Sequence, residues 1–510
     1  MNIRRDDILW SRNDIKLFLI ITALGFIAKG AAAFRGMSVD DYPFSLGASE
    51  WSPGHFLSQG RFFGALVSYL IDAIGVNLND TYFSMALLVI ALQAALAVSV
   101  MRLLGYKSLI SGAIIGGLIA LHPYNAEFLT FKHILPVYAL ALVFTIGAIE
   151  LLQIRTRGIY ANISIVMAVL AALMTYQAAL NYILVAAYGC LLMSFVSTSQ
   201  GSQSSLDSRY LRASGWLLIF LSFLATLLFF GSLLLVKNLG LVESLTGRAS
   251  LIESSEVPAR VNQLLTTLDF VFLKSEPIFP ISLKLIYFSL SLASVALIVL
   301  GILRCRRDLF ATCFGLVLLA IIPFLSLGII IPLNDWWPVP RVIAHSSLLF
   351  GLIVLVAERS VAQASFNAGK LIFIFAGYSL ILGFIFVNNQ IFADQQTIAQ
   401  WDRSKANRIV LRLEDNPDFH NIKRLYVNGG VWGYQVPLRT LQGDMNISAF
   451  FPPWSKRPLI LESSGYKFER PSSDDIKTGV ELCLDREVWP GRNSVFVHGE
   501  LAIVCLDKLP

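Results

Sequence analysis

Long apolar runs, separated by short polar connections, occupy most of the chain. Runs near the length that a helix needs to cross a bilayer lie at 15–35, 82–101, 108–121, 134–153, 160–176, 179–196, 215–236, 282–303, 309–330, 346–358 and 370–387. This pattern predicts a polytopic α-helical membrane protein with about eleven transmembrane helices. The composition agrees, because 55% hydrophobic and 15% charged residues lie outside the range of ordinary globular proteins.

The basic residues of the short connections set the expected orientation. A further apolar piece at 62–76 has Arg61 before it and Asp72 inside it, so it either crosses the bilayer or lies in the interface. If it does not cross and the N-terminus is cytoplasmic, every short basic connection lies inside, as the positive-inside rule requires. We therefore expect an external C-terminus and, at 36–81, a first external loop with an interfacial or re-entrant helix. The net charge of +6 then reflects orientation, not a nucleic-acid partner.

The composition changes near residue 388, where charge rises and the apolar runs become short. We expect a membrane domain at 1–387 and a small external α/β domain at 388–510. A helix is predicted at 392–415. Strands are predicted at Arg424–Val427, Leu459–Glu462, Val480–Leu484, Ser494–Val497 and Leu501–Leu506. The tail shows no catalytic pattern, so we expect it to bind an acceptor or to pack on the membrane domain.

Two of the five cysteines, Cys483 and Cys505, lie in this tail. In an oxidising compartment two such cysteines are expected to form a disulfide. Two buried free thiols are the alternative.

Paired carboxylates directly follow the first apolar run. Asp40 and Asp41 precede Tyr42 in a part of the chain expected outside the bilayer. A carboxylate can act as a general base if it reaches the proton of a substrate hydroxyl. The alternative is that the pair caps a short helix, which needs only one acid.

Cations near these acids are candidates for binding a phosphate group. Lys29, Arg35 and Arg61 all lie on the expected outer side, where the positive-inside rule disfavours basic residues. For Lys29 and Arg35 the alternative is that the side chain reaches the interface from the end of a helix.

Later external segments add further candidates. Glu127, Lys132 and His133 lie between two apolar runs, but their spacing matches no zinc motif, and capping or an interfacial position is the simpler explanation. A helix through Glu127 would align it with Thr130 and Phe131.

Tyr176, Gln177 and Asn181 lie at a tight turn between apolar runs. The two amides would find partners on a hydroxyl-rich ligand such as a sugar, although simple turn formation also explains them. Near 332–341, three prolines and two tryptophans precede Arg341. Its planar guanidinium suits a phosphate group, and a structural ion pair with Asp335 is the alternative.

The sequence contains no Walker-type phosphate loop, no dinucleotide fingerprint and no Cys/His metal cluster. Energy from a cytoplasmic nucleotide is therefore not expected, and an activated donor in the membrane would remove the need for it. We expect no cofactor, and nothing in the sequence indicates a divalent cation.

The arrangement of a first membrane helix, an acidic external loop, many further helices and an external C-terminal domain resembles the GT-C glycosyltransferases. Within that class the chain is similar to the Gtr serotype-converting O-antigen glucosyltransferases through Asp40-Asp41-Tyr42, Gly60-Arg61, Tyr176-Gln177, Pro340-Arg341 and the tail. This resemblance implies transfer of glucose from undecaprenyl-phosphate glucose to a lipid-linked O-antigen repeat of lipopolysaccharide. It also implies a bacterial inner-membrane enzyme whose site faces the periplasm. By the same similarity, Asp40 is the first choice as base, followed by Asp41.

Other classes fit parts of this pattern. An O-antigen polymerase or ligase would also use lipid-linked glycans, but with its chemistry on a long late loop. A transporter of lipid-linked glycans would show paired halves with broken helices, and no internal repeat is evident. The sequence leaves open which hexose is moved, whether its anomeric configuration is inverted or retained, and the acceptor.

Overall fold

The computed structural model describes residues 10–34, 36–45, 53–77, 79–154, 158–196, 201–242, 244, 246, 249–272, 280–304, 309–362, 367–434, 438 and 447–508. Most of these residues are helical, and a small sheet lies near the C-terminus.

Helices follow the apolar runs of the sequence. The described helices of this part are α1 (Arg12–Lys29), α2 (Asp41–Ser45), α3 (Pro53–Ser58), α4 (Phe62–Ala73), α5 (Tyr82–Leu104), α6 (Leu109–Ala120), α7 (Leu135–Leu152), α8 (Ile159–Thr175), α9 (Ala179–Val196), α10 (Gly201–Asn238), α11 (Val257–Phe272), α12 (Ile281–Arg304), α13 (Leu309–Ala320), α14 (Ile322–Leu327), α15 (Ser346–Ala362) and α16 (Asn367–Glu414). Local signals fix their ends: α1, for example, starts at a capping box in which Ser11 and Asp14 bond reciprocally.

Among the described residues, eight helices are long and apolar enough to cross a membrane. A ninth is obtained if α6 and the 3₁₀ helix Pro123–Thr130, which meet at a bend of 49°, are counted as one span. Two further predicted spans, α8 and α15, are helices of 17 residues each. The chain is thus a multi-pass membrane protein, and the number of eleven crossings stays a prediction.

The piece at 62–76 forms α4, which has 12 residues. At about 1.5 Å per residue such a helix is too short for a hydrocarbon core of roughly 30 Å. Its length therefore supports the predicted interfacial or re-entrant position.

The tail begins without a break in the helix. α16 runs for 48 residues through position 388, so the predicted helix at 392–415 is the second half of a longer one. After it come β1 (Arg424–Asn428), α17 (Pro453–Ser464), α18 (Ser473–Leu484), β2 (Val495–His498) and β3 (Leu501–Cys505). β3 lies between the other two strands, parallel to β1 and antiparallel to β2.

Two of the predicted strands are wrong. Leu459–Glu462 lies in α17 and Val480–Leu484 lies in α18. Ser472 and Asp475 form a capping box at the start of α18, a helix signal that the short apolar clusters obscured. In α17, Leu459, Ile460 and Leu461 are all buried, and a continuous apolar triplet does not distinguish a strand from a buried helix.

A hydrophobic core joins the first loop to the tail. Tyr42 is fully buried and belongs to one cluster with Ile409 of α16, Leu425 of β1, Phe450 and Leu459. Burial raises the pKa of Tyr42, so its phenol stays neutral. The predicted site residue Tyr42 thus anchors the loop that carries the two acids.

Cys483 of α18 and Cys505 of β3 form a disulfide with a Cα–Cα distance of 5.5 Å. This is the pair that the sequence analysis favoured, and it links the outer helix of the tail to the middle strand of the sheet.

Candidate active site

A pocket collects candidate side chains from three separate parts of the sequence. Its lining includes Arg61, Tyr176, Gln177, Asp335 and Arg341. These residues lie at the ends of apolar helices or in the loops between them. Folding of the helix bundle therefore brings two arginines to one pocket whose other walls are mostly apolar.

Arg61 is held in place by the turn between α8 and α9. Its Nε donates to Gln177 Oε1 at 3.4 Å, and its guanidinium lies 5.0 Å from the centre of the Tyr176 ring. Gln177 Nε2 in turn donates to the carbonyl of Gln59 at 2.5 Å. Gln177, in the turn between α8 and α9, thus positions the guanidinium of Arg61, which belongs to the first loop.

Arg341 pairs with Glu127, which is fully buried. Arg341 Nη1 donates to Glu127 Oε1 at 2.7 Å, and the Arg341 backbone N–H donates to Oε2 at 2.5 Å. The guanidinium also lies 4.6 Å from the centre of the Phe131 ring. Glu127 lies in the 3₁₀ helix Pro123–Thr130 and not in the α-helix that the sequence suggested.

Asn181 and Gly328 support the wall next to Ile329 without lining the pocket themselves. Asn181 Oδ1 accepts from the backbone N–H of Ile329, a pocket residue, at 2.8 Å. Gly328 has φ +64°, and a Cβ there would lie 2.3 Å from Asn181 Oδ1. Only glycine fits this close, left-handed position.

Arg260 of α11 fixes the segment 330–334, which contributes Ile330 and Leu333 to the pocket lining. Its guanidinium donates to the carbonyls of Leu333 at 2.7 Å and Asn334 at 2.8 Å. The same group lies 4.8 Å from the centre of the Trp336 ring. Helix α11 thus holds a segment of the pocket wall in place through Arg260.

Replacement of Arg260 by alanine should loosen this wall, because each hydrogen bond from a charged donor is worth about 1.5–3 kcal/mol. We expect faster hydrogen exchange of the backbone amides of Leu333 and Asn334, which bond to Ile330 and Ser250 in the native structure. Mass spectrometry of the exchanged protein measures this. Lys237→Ala, which removes an exposed cation of α10, is the control. Equal exchange in the two variants would contradict the clamp.

Asp41 is fully buried, and its carboxylate accepts hydrogen bonds from other residues of the protein. Its Oδ1 accepts from the backbone N–H of Lys132 at 2.6 Å and lies 3.1 Å from His133 Nδ1. Its Oδ2 accepts from Ser38 N at 2.8 Å. These contacts attach the first loop to residues 132–133.

Asp40 has a different environment. Its side chain is half-buried, and Oδ1 accepts from Trp454 Nε1 at 3.0 Å. Trp454 belongs to the first turn of α17. Of the two adjacent acids, Asp40 is the one that a substrate can approach.

A short series of contacts leads from Asp40 to Arg341. Asp41, its neighbour in the chain, holds the backbone of Lys132, and Phe131 beside it lies under the Arg341 guanidinium. Asp40 and Asp41 do not line the pocket, and these contacts connect the loop that carries them to Arg341 of its wall.

The remaining candidates are placed elsewhere. Lys132 Nζ lies 5.2 Å from the centre of the Tyr82 ring, and the His133 ring stacks on Phe44 at 4.4 Å. Lys29 is 1% exposed. Its Nζ donates to Gln93 Oε1 at 2.7 Å and to the carbonyl of Ala120 at 2.6 Å. Lys29 thus joins α1 to α5 and α6 and is not brought to the pocket, and Arg35 lies outside the described residues.

The sequence analysis did not select two residues that the structure places at the site. Arg260 lies 73 positions from Leu333, whose carbonyl it binds, and Trp454 lies 414 positions from its partner Asp40. An arginine followed at four-residue intervals by Leu264 and Leu268 indicates an amphipathic helix, but its target is not encoded locally.

Of the comparisons with known proteins, the one with protein-family models gives a match. A family model described as Glucosyl transferase GtrII matches residues 37–358, which is more than half of the chain. The matched region contains Asp40, Arg61, Gln177 and Arg341, whereas Trp454 lies beyond it. Neither the comparison with curated proteins nor that with solved structures gave a match.

Proposed function

The chain belongs to the GtrII glucosyl transferase family, and from this premise we propose that it transfers a hexose, with glucose as first choice, from a polyprenyl-phosphate sugar to a lipid-linked glycan. The protein is accordingly a membrane glycosyltransferase. The O-antigen repeat of lipopolysaccharide is the proposed acceptor, and conversion of the bacterial serotype is the proposed consequence.

The pocket with two guanidinium groups supports this proposal most directly. Arg61 and Arg341 line it together, and planar guanidinium groups suit the oxygens of a phosphate. Buried Glu127 fixes the direction of Arg341 before substrate arrives, so little reorganisation is needed when charge develops on the leaving group. We therefore assign the donor phosphate to this pocket.

The proposed reaction is a direct transfer. Asp40 accepts the proton of the acceptor hydroxyl while that oxygen attacks the anomeric carbon of the donor. The bond between this carbon and the phosphate oxygen breaks, and polyprenyl phosphate leaves with its charge held by Arg61 and Arg341. Asp41 holds the loop in position for this step. A single displacement of this kind inverts the anomeric configuration, which product analysis can test.

We propose that the site faces the periplasm of a bacterial inner membrane. The disulfide Cys483–Cys505 supports an oxidising location for the tail. The positive-inside distribution of the connections places the first loop on the same side. Labelling of single cysteines introduced near Tyr42 in intact cells would test this sidedness.

The decisive experiment incubates purified protein with polyprenyl-phosphate glucose and a lipid-linked oligosaccharide. We expect mass spectrometry to show an acceptor heavier by one hexose, with equal yield in the presence of EDTA if no divalent ion takes part. Growth by whole repeats would indicate a polymerase instead. The proposal is contradicted if the acceptor mass stays unchanged and if no other hexose offered on polyprenyl phosphate is transferred either.

A further inference from the structure

Exposed aromatic side chains of the tail include two tryptophans and a phenylalanine in the segments after β1. Trp432 is 52% exposed, Phe451 is 39% exposed and Trp454 is 49% exposed. The rings of Trp432 and Phe451 meet edge to face, with 4.6 Å between their centres. We call these three residues the aromatic platform.

The platform rests on a rigid base. The backbone N–H of Ser448 donates to the carbonyl of Trp432 at 2.9 Å. Gly430, in the segment after β1, allows a close approach to residue 451, since a Cβ at Gly430 would lie 2.9 Å from the Phe451 carbonyl oxygen. Asp402 of α16 accepts from the backbone N–H of Ala449 at 2.8 Å. Buried polar anchors of this kind fix a surface in one geometry.

The platform adjoins the candidate base. The indole N–H of Trp454 donates to the Asp40 carboxylate at 3.0 Å. A hydroxyl that loses its proton to Asp40 must come within about 3 Å of that carboxylate. The sugar ring that bears this hydroxyl therefore lies beside the Trp454 ring.

We propose that the aromatic platform binds a sugar ring of the acceptor glycan and presents its hydroxyl to Asp40. This inference rests on the proposed glycosyl transfer, which it extends from the donor to the acceptor. The family match ends at residue 358, so the platform lies in a part of the chain to which that match assigns no role.

The chemistry of the surface favours a sugar. The face of an aromatic ring is electron-rich, and the C–H groups on one face of a pyranose are polarised by the neighbouring oxygens, so the two faces attract each other. The same sugar offers hydroxyls to Asp40 at its edge. Insertion into lipid would need neither the bond between Trp454 and Asp40 nor the fixed position set by Asp402.

The test uses purified full-length protein and four variants. Trp454→Ala and Trp432→Ala should each raise the KM for the lipid-linked oligosaccharide by about 10-fold to 100-fold, as expected for removal of a central aromatic contact. The KM for the polyprenyl-phosphate sugar should not change. Trp454→Phe keeps a ring without the N–H and should restore most of the acceptor affinity. Trp216→Ala is the control, because Trp216 on α10 is also 49% exposed.

A second measurement needs no donor and no turnover. Delipidated surface polysaccharide from the source bacterium should quench the tryptophan fluorescence of the wild type and of Trp216→Ala, but much less that of Trp454→Ala. A different set of results would overturn the platform in favour of a membrane contact: brominated lipid quenches Trp454, polysaccharide has no effect, and the acceptor KM is unchanged in the variants. In that case wild-type transfer still stands. Polysaccharide binding that depends on Trp454 in a protein without transfer activity would support the platform and contradict the proposed reaction.

Discussion

Asp40→Asn should lower the rate of hexose transfer by a factor of about 100 to 10,000, the usual effect of removing a well-placed general base. The amide keeps the shape of the side chain and can still accept from the Trp454 indole, so the fold should be unchanged. The measurement is kcat with both substrates at saturation, after the variant has been shown to insert and purify like the wild type.

Two neighbouring variants separate catalysis from folding in this experiment. Asp80→Asn changes an exposed acid of the same loop region and should keep full activity. Asp41→Asn should instead lower the yield of folded protein, because Asp41 Oδ1 accepts from the backbone at residues 132 and 133 and a neutral amide weakens these charge-assisted bonds. If Asp40→Asn retained wild-type kcat, Asp40 would not be the base.

Arg341→Ala should be the most damaging change in the pocket. It removes one of the two guanidinium groups from the donor site and leaves Glu127 as an uncompensated buried charge, a loss that typically costs about 3–5 kcal/mol of stability. We expect no measurable transfer and a lower thermal midpoint in detergent. Arg341→Lys should recover part of the stability but little of the affinity for the donor, since a lysine offers no planar fork.

A double-variant comparison isolates the stability effect. Arg341→Ala combined with Glu127→Gln should regain most of the thermal midpoint, because the unpaired charge is gone, while transfer stays absent. Arg304→Ala, at an exposed end of α12, controls for the general loss of an arginine. Activity in the double variant close to wild type would show that Arg341 has a structural role alone.

The sequence was sufficient to find the polar residues of the pocket but not its apolar lining or the partners of the polar groups. Arg61 was selected as a basic residue on the side where such residues are disfavoured. Arg341 was selected because its guanidinium suits a phosphate group, and Gln177 because its amide suits a sugar. Which acid pairs with Arg341 was not decided by sequence, since Asp335 is close along the chain and Glu127 is 214 positions away. The burial of Lys29 was also not evident from the sequence, because its partners Gln93 and Ala120 reach it only when the helices pack together.

The tail shows the same limit at the level of secondary structure. Hydrophobic periodicity located the second half of α16 and all three strands, but it assigned α17 and α18 to strands because their apolar clusters are short. A test for capping boxes would have recovered α18 from Ser472 and Asp475. The contact between Trp454 and Asp40 has no local signal in the sequence at all.

Helix α16 continues without interruption from the predicted membrane domain into the tail. Its 48 residues, at about 1.5 Å each, extend roughly 70 Å, and a helix neither shortens nor swivels as a flexible linker does. The tail is therefore joined to a candidate membrane span by one continuous helix. Asp402, which accepts from the backbone N–H of Ala449, belongs to that same helix, so the segment beneath Phe451 and Trp454 is braced by a direct extension of the span.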